Sequence, residues 1–306
     1  MKKIISELIE KEIGHIDLDF PLSKLTTYQV GGKARVVVYP KDIEKLIELL
    51  KIIKKDNIKH LVLGKGSNVL FSDDVYEGII IKLDNFNQIE FMDNKVVVGA
   101  GYNLMKLSHE ALKRGLANLE FASGIPGSVG GAIFMNAGAY NMDMSDVVEE
   151  VKILTSNLEI ITLSKEEMEF SYRSSILQTQ KDYICLEVLL NLEYGKIEEL
   201  QEIVRERRRK RHETQPLEFP SAGSVFRNPD NMYAGKLIED LGLKGFQIGG
   251  AKISEKHANF IINTGTALAR DIKDIIDIVK EKVKEKYNIN LRVEQRLINW
   301  DKENEK

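Results

Sequence analysis

The stretch SGIPGSVGGAIFMNAGAYN, residues 123–141, decides how this chain reads. It places glycine at 124, 127, 130, 131 and 138, fixes one turn with Pro126, and carries almost no charge. Glycine loses more conformational freedom on folding than any other residue, so a run this small-sided needs a reason for backbone to come close to something. A large flat ligand carrying phosphates supplies one reason. A glycine-rich buried turn against a neighbouring strand is the plainer one.

A second glycine loop, GKGSN (64–68), follows the apolar run HLVLG. Gly64 and Gly66, on either side of Lys65, let successive N–H groups turn inward, while Ser67 and Asn68 add side-chain donors. Such a loop cradles a phosphate or pyrophosphate; an ordinary strand-to-strand turn is the alternative. The spacing is not that of a Walker loop. Neither glycine loop is GxGxxG inside a βαβ unit, which disfavours a Rossmann dinucleotide site.

Outward from these loops the pattern is mixed. Ile43, Leu46, Ile47, Leu50 and Ile53 stand at helical spacing within 40–57, behind Asp42 as N-cap. Short β-branched runs follow at 78–83 and 95–101, then a helix over 103–114 ended by Gly115. Strands are expected at 148–155, 158–163 and 183–194. The charged segment IEELQEIVRERRRKRHETQP (197–216) reads as a helix ending before Pro216 and as a linker. Beyond it come a helix near 231–241, a strand in HANFIIN (257–263), a helix over 266–287 with an isoleucine and valine stripe, and a closing strand LRVEQRLIN (291–299). This is an α+β pattern rather than regular strand–helix alternation.

Bulk properties narrow the partners. The chain has 306 residues, 43% of them apolar and 30% charged, and a net charge of −3, which argues against nucleic acid or an anionic membrane as its main partner. The RERRRKR run does not change that. Glu198, Glu199, Glu202, Glu206 and Glu213 nearly balance it and no aromatics are interleaved, so it reads as a solvated helix face. The single cysteine, Cys185, lies in an apolar strand, rules out an intrachain disulfide and fits a reducing compartment. Ser6, Glu7 and Glu10 interrupt any signal-peptide core, and no apolar run reaches membrane-spanning length. A cytoplasmic protein without membrane insertion is expected. The histidines are scattered and no Cys/His cluster exists, so neither a metal site nor a hydrolase triad is expected.

One loop carries a question about chemistry. In SAGSVFRNP (221–229), Ser224 sits between glycine and an apolar pair, with Arg227 and Asn228 close by. By itself it reads equally as nucleophile, phosphate ligand, proton donor or turn residue.

The ordered motifs TTYQVGG (26–32), GKGSN, SGIPGSVGGAIFMNAGAY, SYRSS (171–175), SAGSVFRNP and VEQRLIN (293–299) resemble those of the UDP-N-acetylenolpyruvoylglucosamine reductases, flavoenzymes also called UDP-N-acetylmuramate dehydrogenases. The resemblance covers roughly residues 20–299. It implies an FAD-binding fold of the vanillyl-alcohol-oxidase/p-cresol-methylhydroxylase type in two α+β subdomains over 21–195, a linker helix over 196–216, and a smaller α+β substrate-binding domain with the closing strand over 217–300. The short span between Gly195 and residue 221 resembles the family type without a substrate-capping insertion.

The activity implied is NADPH-dependent reduction of the enolpyruvyl group of UDP-N-acetylglucosamine enolpyruvate. It is a step of peptidoglycan precursor synthesis and hence of cell-wall biogenesis, cell shape and cell division. By motif position, non-covalent FAD falls to Gly64, Lys65, Gly66, Ser67, Asn68, Ser123, Gly124, Pro126, Gly127, Ser128, Gly130, Gly131, Asn136, Gly138 and Ala139. The family's three catalytic positions fall on Arg173, Ser224 and Glu294, with Tyr172 and Asn228 as substrate or nicotinamide neighbours. The partner is a nucleotide-sugar and the expected state a monomer. Tyr28, Gln29, Lys33, Gln295 and Asn299 depart from the residues often seen in the first and last motifs.

The implied chemistry suits these residues. Hydride addition to the terminal enolpyruvyl carbon leaves an enolate beside the carboxylate. Arg173 suits that charge, Glu294 is acceptable there if protonated, and Ser224 would give the proton. The rivals are an FAD oxidase of the same fold acting on a sugar or alcohol, and a non-enzymatic nucleotide-sugar-binding protein.

Overall fold

A computed structural model describes residues 1–180 and 182–300. The described residues fall into two compact units. The first comprises Met1–Leu18, Val36–Lys65 and Gly78–Arg208; the second comprises Asp19–Arg35, Gly66–Glu77 and the chain from Arg209 onward. Each unit has its own apolar core, one including Leu46, Val98, Phe121 and Val188, the other Tyr28, Phe226, Ile272 and Val279.

The first unit is built around an antiparallel five-stranded sheet in the order Ile160–Ser164, Val148–Leu154, Ile184–Asn191, Lys95–Gly99, Ile89–Met92. Val96, Val98, Val151, Ile153, Val188 and Leu190 put their side chains into its core, as alternation on a half-buried sheet requires. The helix Ile43–Lys55 begins where the sequence reads it, because the Asp42 carboxylate accepts the Lys45 N–H at 2.8 Å. Its Leu46, Leu49, Leu50, Ile52 and Ile53 are buried, and a fully buried aliphatic side chain contributes about 1.5–3 kcal/mol. Cys185 lies buried in Ile184–Asn191, as expected.

A four-stranded sheet runs in the order Gly14–Pro21, Lys33–Pro40, Tyr76–Ile81, His60–Val62, with the last two strands parallel. The unit boundaries fall inside its first three strands, inside the loop 64–68 and inside the helix Ile197–Thr214.

In the second unit, Gln247–Ile248, Ala251–Ile253 and Ile261–Asn263 form an antiparallel sheet, and Val69–Phe71 pairs in parallel with Arg296–Ile298. The helix Ala269–Tyr287 starts three residues later than the sequence suggests. Asp73, far away in the chain, accepts from the Ala269 and Arg270 N–H groups at 2.9 Å each and fixes the first turn there.

Two expected strands are less than half as long as read. HANFIIN yields only Ile261–Asn263, because a turn closes from Phe260 N–H to the His257 carbonyl at 3.0 Å. LRVEQRLIN yields only Arg296–Ile298, since its partner Val69–Phe71 is three residues long; Val293 makes an isolated bridge to Phe226 instead. Three helices went unread: Lys2–Glu10, Val129–Met135 inside the glycine-rich stretch, and the single turn Ile176–Thr179. Among the described residues, no helix is long and apolar enough to cross a membrane.

Candidate active site

The first unit holds Gly64, Lys65, Ser123, Gly124, Pro126, Gly127, Ser128, Gly130, Gly131, Asn136, Gly138, Ala139, Tyr172 and Arg173. The second holds Gly66, Ser67, Asn68, Ser224, Asn228 and Glu294.

In the first unit the two glycine loops meet. A Cβ added to Gly64 would lie 2.6 Å from Ser128 Oγ, so only a bare backbone fits. Ser128 is itself committed, capping the helix Val129–Met135 by accepting the Gly131 N–H at 3.3 Å. Gly130 N–H donates to the Ala100 carbonyl at 2.8 Å, and a Cβ there would press on Ala100, so the turn that follows the strand Lys95–Gly99 accounts for that glycine.

A cation that carried no expectation sits at this junction. Lys82, 3% exposed, donates through Nζ to the Gly64 carbonyl. Lys82 and Lys65 share Asp84 at 3.6 and 3.5 Å. Burial above all holds the Lys82 ammonium below its usual range; Asp84 opposes this and Lys65 adds to it. The readable signal was a lysine ending the β-branched run GIIIKL, where a strand core has no use for charge. Two glycine loops in contact, with two lysines against one carboxylate, suit the phosphates of a dinucleotide.

Arg173 is displayed by a tight turn in which Ser171 and Ser174 exchange N–H···O bonds of 3.1 and 3.0 Å. Its own φ is +58, a left-handed conformation that side chains other than glycine and asparagine rarely adopt. Several bonds hold it there. Arg173 Nη2 donates to the Gly138 carbonyl at 3.0 Å, and Gln178 Nε2 donates to the Arg173 carbonyl at 3.0 Å and to Phe134 O at 2.7 Å. Ser175 Oγ also donates to Phe134 O, at 3.0 Å. Asn136 joins the turn to the glycine-rich segment by donating to the Ser171 carbonyl. Tyr172 is 54% exposed beside it.

In the second unit, the Ser224 loop and the Glu294 segment are laced together. Glu294 N–H donates to the Val225 carbonyl at 2.8 Å, and Arg227 N–H to Arg292 O at 2.9 Å. Asn68 stands on the other side, donating through Nδ2 to the Glu294 carbonyl at 3.3 Å and accepting the Arg296 N–H at 3.0 Å. Ser224, Glu294 and Asn68 are thus brought into one constellation from three distant stretches of sequence. Gly66 has φ +65, and a Cβ there would collide with the Leu25 carbonyl. Asn228 Oδ1 accepts the Ala234 N–H at 3.1 Å, at the start of the helix Ala234–Asp240. Asn259 is a residue without a sequence signal that holds the Ser224 loop: its backbone carbonyl accepts Val225 N–H, and its side chain both accepts from and donates to Phe226.

Comparison with known proteins decides the family. Residues 34–164 match the FAD binding domain, and residues 215–298 match the UDP-N-acetylenolpyruvoylglucosamine reductase C-terminal domain. The UDP-N-acetylenolpyruvoylglucosamine reductases of Bacillus subtilis and Bacillus licheniformis are 44% and 46% identical over 299 residues, 97% of this chain and 99% of each of theirs. The chain belongs to the UDP-N-acetylenolpyruvoylglucosamine reductase family. The crystal structure of the reductase (MurB) from Thermus caldophilus superposes with a TM-score of 0.79 at 34% identity, covering 93% of this chain and 98% of that one.

As a member of this family the chain is a flavin-dependent oxidoreductase with FAD as its cofactor, and its FAD-binding part has the expected vanillyl-alcohol-oxidase-type α+β fold. The oxidase and binding-protein rivals have no support in these matches. Two departures from the family's motif pattern meet in the structure. Tyr28 of the first motif donates its hydroxyl to Gln295 Oε1 of the last at 3.0 Å.

Proposed function

We propose that this chain reduces the enolpyruvyl group of UDP-N-acetylglucosamine enolpyruvate to give UDP-N-acetylmuramate in peptidoglycan precursor synthesis. NADPH is the hydride donor. One observation carries the assignment of residues: the main-chain bond from Glu294 N–H to Val225 O at 2.8 Å, which sets a carboxyl and the Ser224 hydroxyl on adjoining backbone.

FAD, when bound, would supply the hydride chemistry between NADPH and the terminal carbon of the enolpyruvyl double bond. The electron pair of that double bond moves toward the carbon beside the carboxylate. Arg173 holds the carboxylate and the charge growing next to it with a permanently charged guanidinium. Held protonated, Glu294 donates a hydrogen bond to an oxygen of that carboxylate, where the charge spreads. Ser224 Oγ gives its proton to the carbon beside the carboxylate and regains one from solvent. Tyr172 and Asn228 border the substrate or the nicotinamide. The glycine loops, with Lys65 and Lys82, would hold the cofactor's phosphates.

Functionally the chain divides into an FAD-binding part over 21–195, a linker over 196–216 and a substrate part over 217–300. A cytoplasmic monomer accords with a nucleotide-sugar substrate and with a composition free of long apolar runs.

An anaerobic two-step titration tests the reading. NADPH should bleach the purified yellow protein, and the enolpyruvyl nucleotide-sugar alone should restore its colour. A colourless protein, or one that turns over with oxygen and an alcohol without NADPH, would overturn it.

A further inference from the structure

Gln295 stands one residue past Glu294 and is 3% exposed. Its side chain turns back over the Ser224 loop, with Nε2 at 3.2 Å from Ala222 O, 3.3 Å from Gly223 O and 3.5 Å from Ser224 O. The other end of the amide accepts the Tyr28 hydroxyl at 3.0 Å. Only one orientation of this amide serves. Three carbonyls can only accept, so the NH2 must face them, and Oε1 is left for the phenol.

An NH2 shared over three consecutive carbonyls fixes three peptide planes, the last of them that of Ser224. The convergence requires Gly223 at φ +73; a Cβ there would meet nothing within 4 Å, so backbone conformation and not crowding calls for glycine. Tyr28 is fully buried and fixed in turn, its carbonyl accepting from Asn263 Nδ2 at 3.0 Å. Burial pushes its phenol up, against the weaker opposing effect of the bond to Gln295, so it stays a donor throughout the working range. Downstream of Ser224, Asn259 holds Val225 and Phe226 by three bonds of 2.8–3.0 Å. The serine therefore sits between two clamps, and the one before it is a carboxamide aimed by a tyrosine.

We propose that Tyr28 and Gln295 are a positioning pair that orients Ser224 for proton donation to the substrate, an inference that rests on Ser224 being the proton donor. The pair exchanges no proton with substrate. It acts through the geometry of the loop alone.

The test uses the full-length flavin-loaded protein and measures the two half-reactions separately by anaerobic stopped flow, with Ser224→Ala as reference. Gln295→Met keeps the length of the side chain and removes the amide; Tyr28→Phe removes one oxygen atom. Gln295→Met should slow reoxidation by the enolpyruvyl nucleotide-sugar about tenfold, the weight of a buried hydrogen bond expressed at the transition state. Reduction by NADPH should stay within about twofold, since Ser224 gives up no proton in that half-reaction. Tyr28→Phe should slow reoxidation less, and the double variant should be no slower than Gln295→Met, because the phenol acts through the amide.

Normal reoxidation in both single variants, with Ser224→Ala blocked, would overturn the pair and leave the proton-donor reading intact. Equal slowing of both half-reactions would also overturn it, marking general loosening. Normal reoxidation in Ser224→Ala would remove the proton-donor reading, and the pair with it. Should Gln295→Met fail to fold, Tyr28→Phe carries the comparison.

Discussion

Asn136 donates through Nδ2 to the Ser171 carbonyl at 3.1 Å, while its Oδ1 accepts the Ser145 N–H at 3.0 Å. It does so from a left-handed backbone, φ +41, at the end of the helix Val129–Met135. A residue that stops a helix thereby fastens the turn that displays Arg173. Positioning of the arginine and stability of the glycine-rich segment are consequently one property.

That coupling predicts the behaviour of two variants. Asn136→Ala loses both bonds and leaves a β-carbon without asparagine's local compensation in the left-handed region, a cost of about 2–4 kcal/mol. Asn136→Gly restores the backbone freedom but not the bonds, and should recover only part of the loss. Thermal unfolding measures the first effect, and reoxidation of reduced enzyme by substrate measures the loosening of Arg173. An Asn136→Gly protein as stable as wild type would show that the two bonds contribute nothing.

Gly64→Ala should release FAD. The new methyl meets Ser128 Oγ, which cannot withdraw without giving up its bond from Gly131 N–H. Cofactor affinity should fall at least about tenfold, roughly the weight of a lost helix cap. Ser128→Ala removes the obstructing oxygen, so Gly64→Ala should be milder in that background. Equilibrium dialysis of FAD against the four proteins gives the coupling. Strict additivity would mean that the two loops do not press on one another.

Cys185 should be inert to thiol reagents in the folded protein. It is 5% exposed, and burial, reinforced by Glu187, pushes its thiol up to about 12, so reactive thiolate is scarce at pH 8. Labelling should become fast only in denaturant, with a midpoint matching the loss of circular dichroism. Stoichiometric labelling of native protein within minutes would contradict the burial.

Much of this was legible because it is local. Asp42 before an apolar 3.6-residue rhythm gave the helix Ile43–Lys55, and the β-branched runs at 78–83 and 95–101 pointed to the strands Tyr76–Ile81 and Lys95–Gly99, with bounds off by two residues. The helix Val129–Met135 was not legible, since Val-Gly-Gly-Ala has poor helix propensity and the Ser128 cap with burial of Val129, Ala132 and Ile133 overrides it. Asp73 capping residue 269, Asn259 holding the Ser224 loop, and Tyr28 reaching Gln295 are long-range pairings that leave no periodic trace. The sequence could only mark Tyr28 and Gln295 separately, as departures from a pattern.

The Ser224 loop should also weaken in acid, through His257. Its Nδ1 accepts the Asn259 N–H at 3.2 Å, which only an imidazole unprotonated at that nitrogen can do, and its ring packs on Phe260 at 4.8 Å. Burial foremost, then Lys244, hold its pKa below the usual 6.5, with Glu239 opposing. Because the folded value is the lower one, the unfolded chain binds the extra proton first. Stability is therefore full above pH 6.5 and falls as pH drops from there toward the folded value. The slope from this one group reaches at most about 1.4 kcal/mol per pH unit. Urea unfolding between pH 7.5 and 5 should show it, superimposed on the shared contribution of carboxylates, and His257→Gln should give a shallower dependence. Since protonation unseats Asn259, which holds Val225 and Phe226, substrate reoxidation should decline in the same window more than reduction by NADPH does. Identical pH profiles for wild type and His257→Gln would mean that this histidine takes up its proton equally in folded and unfolded chains.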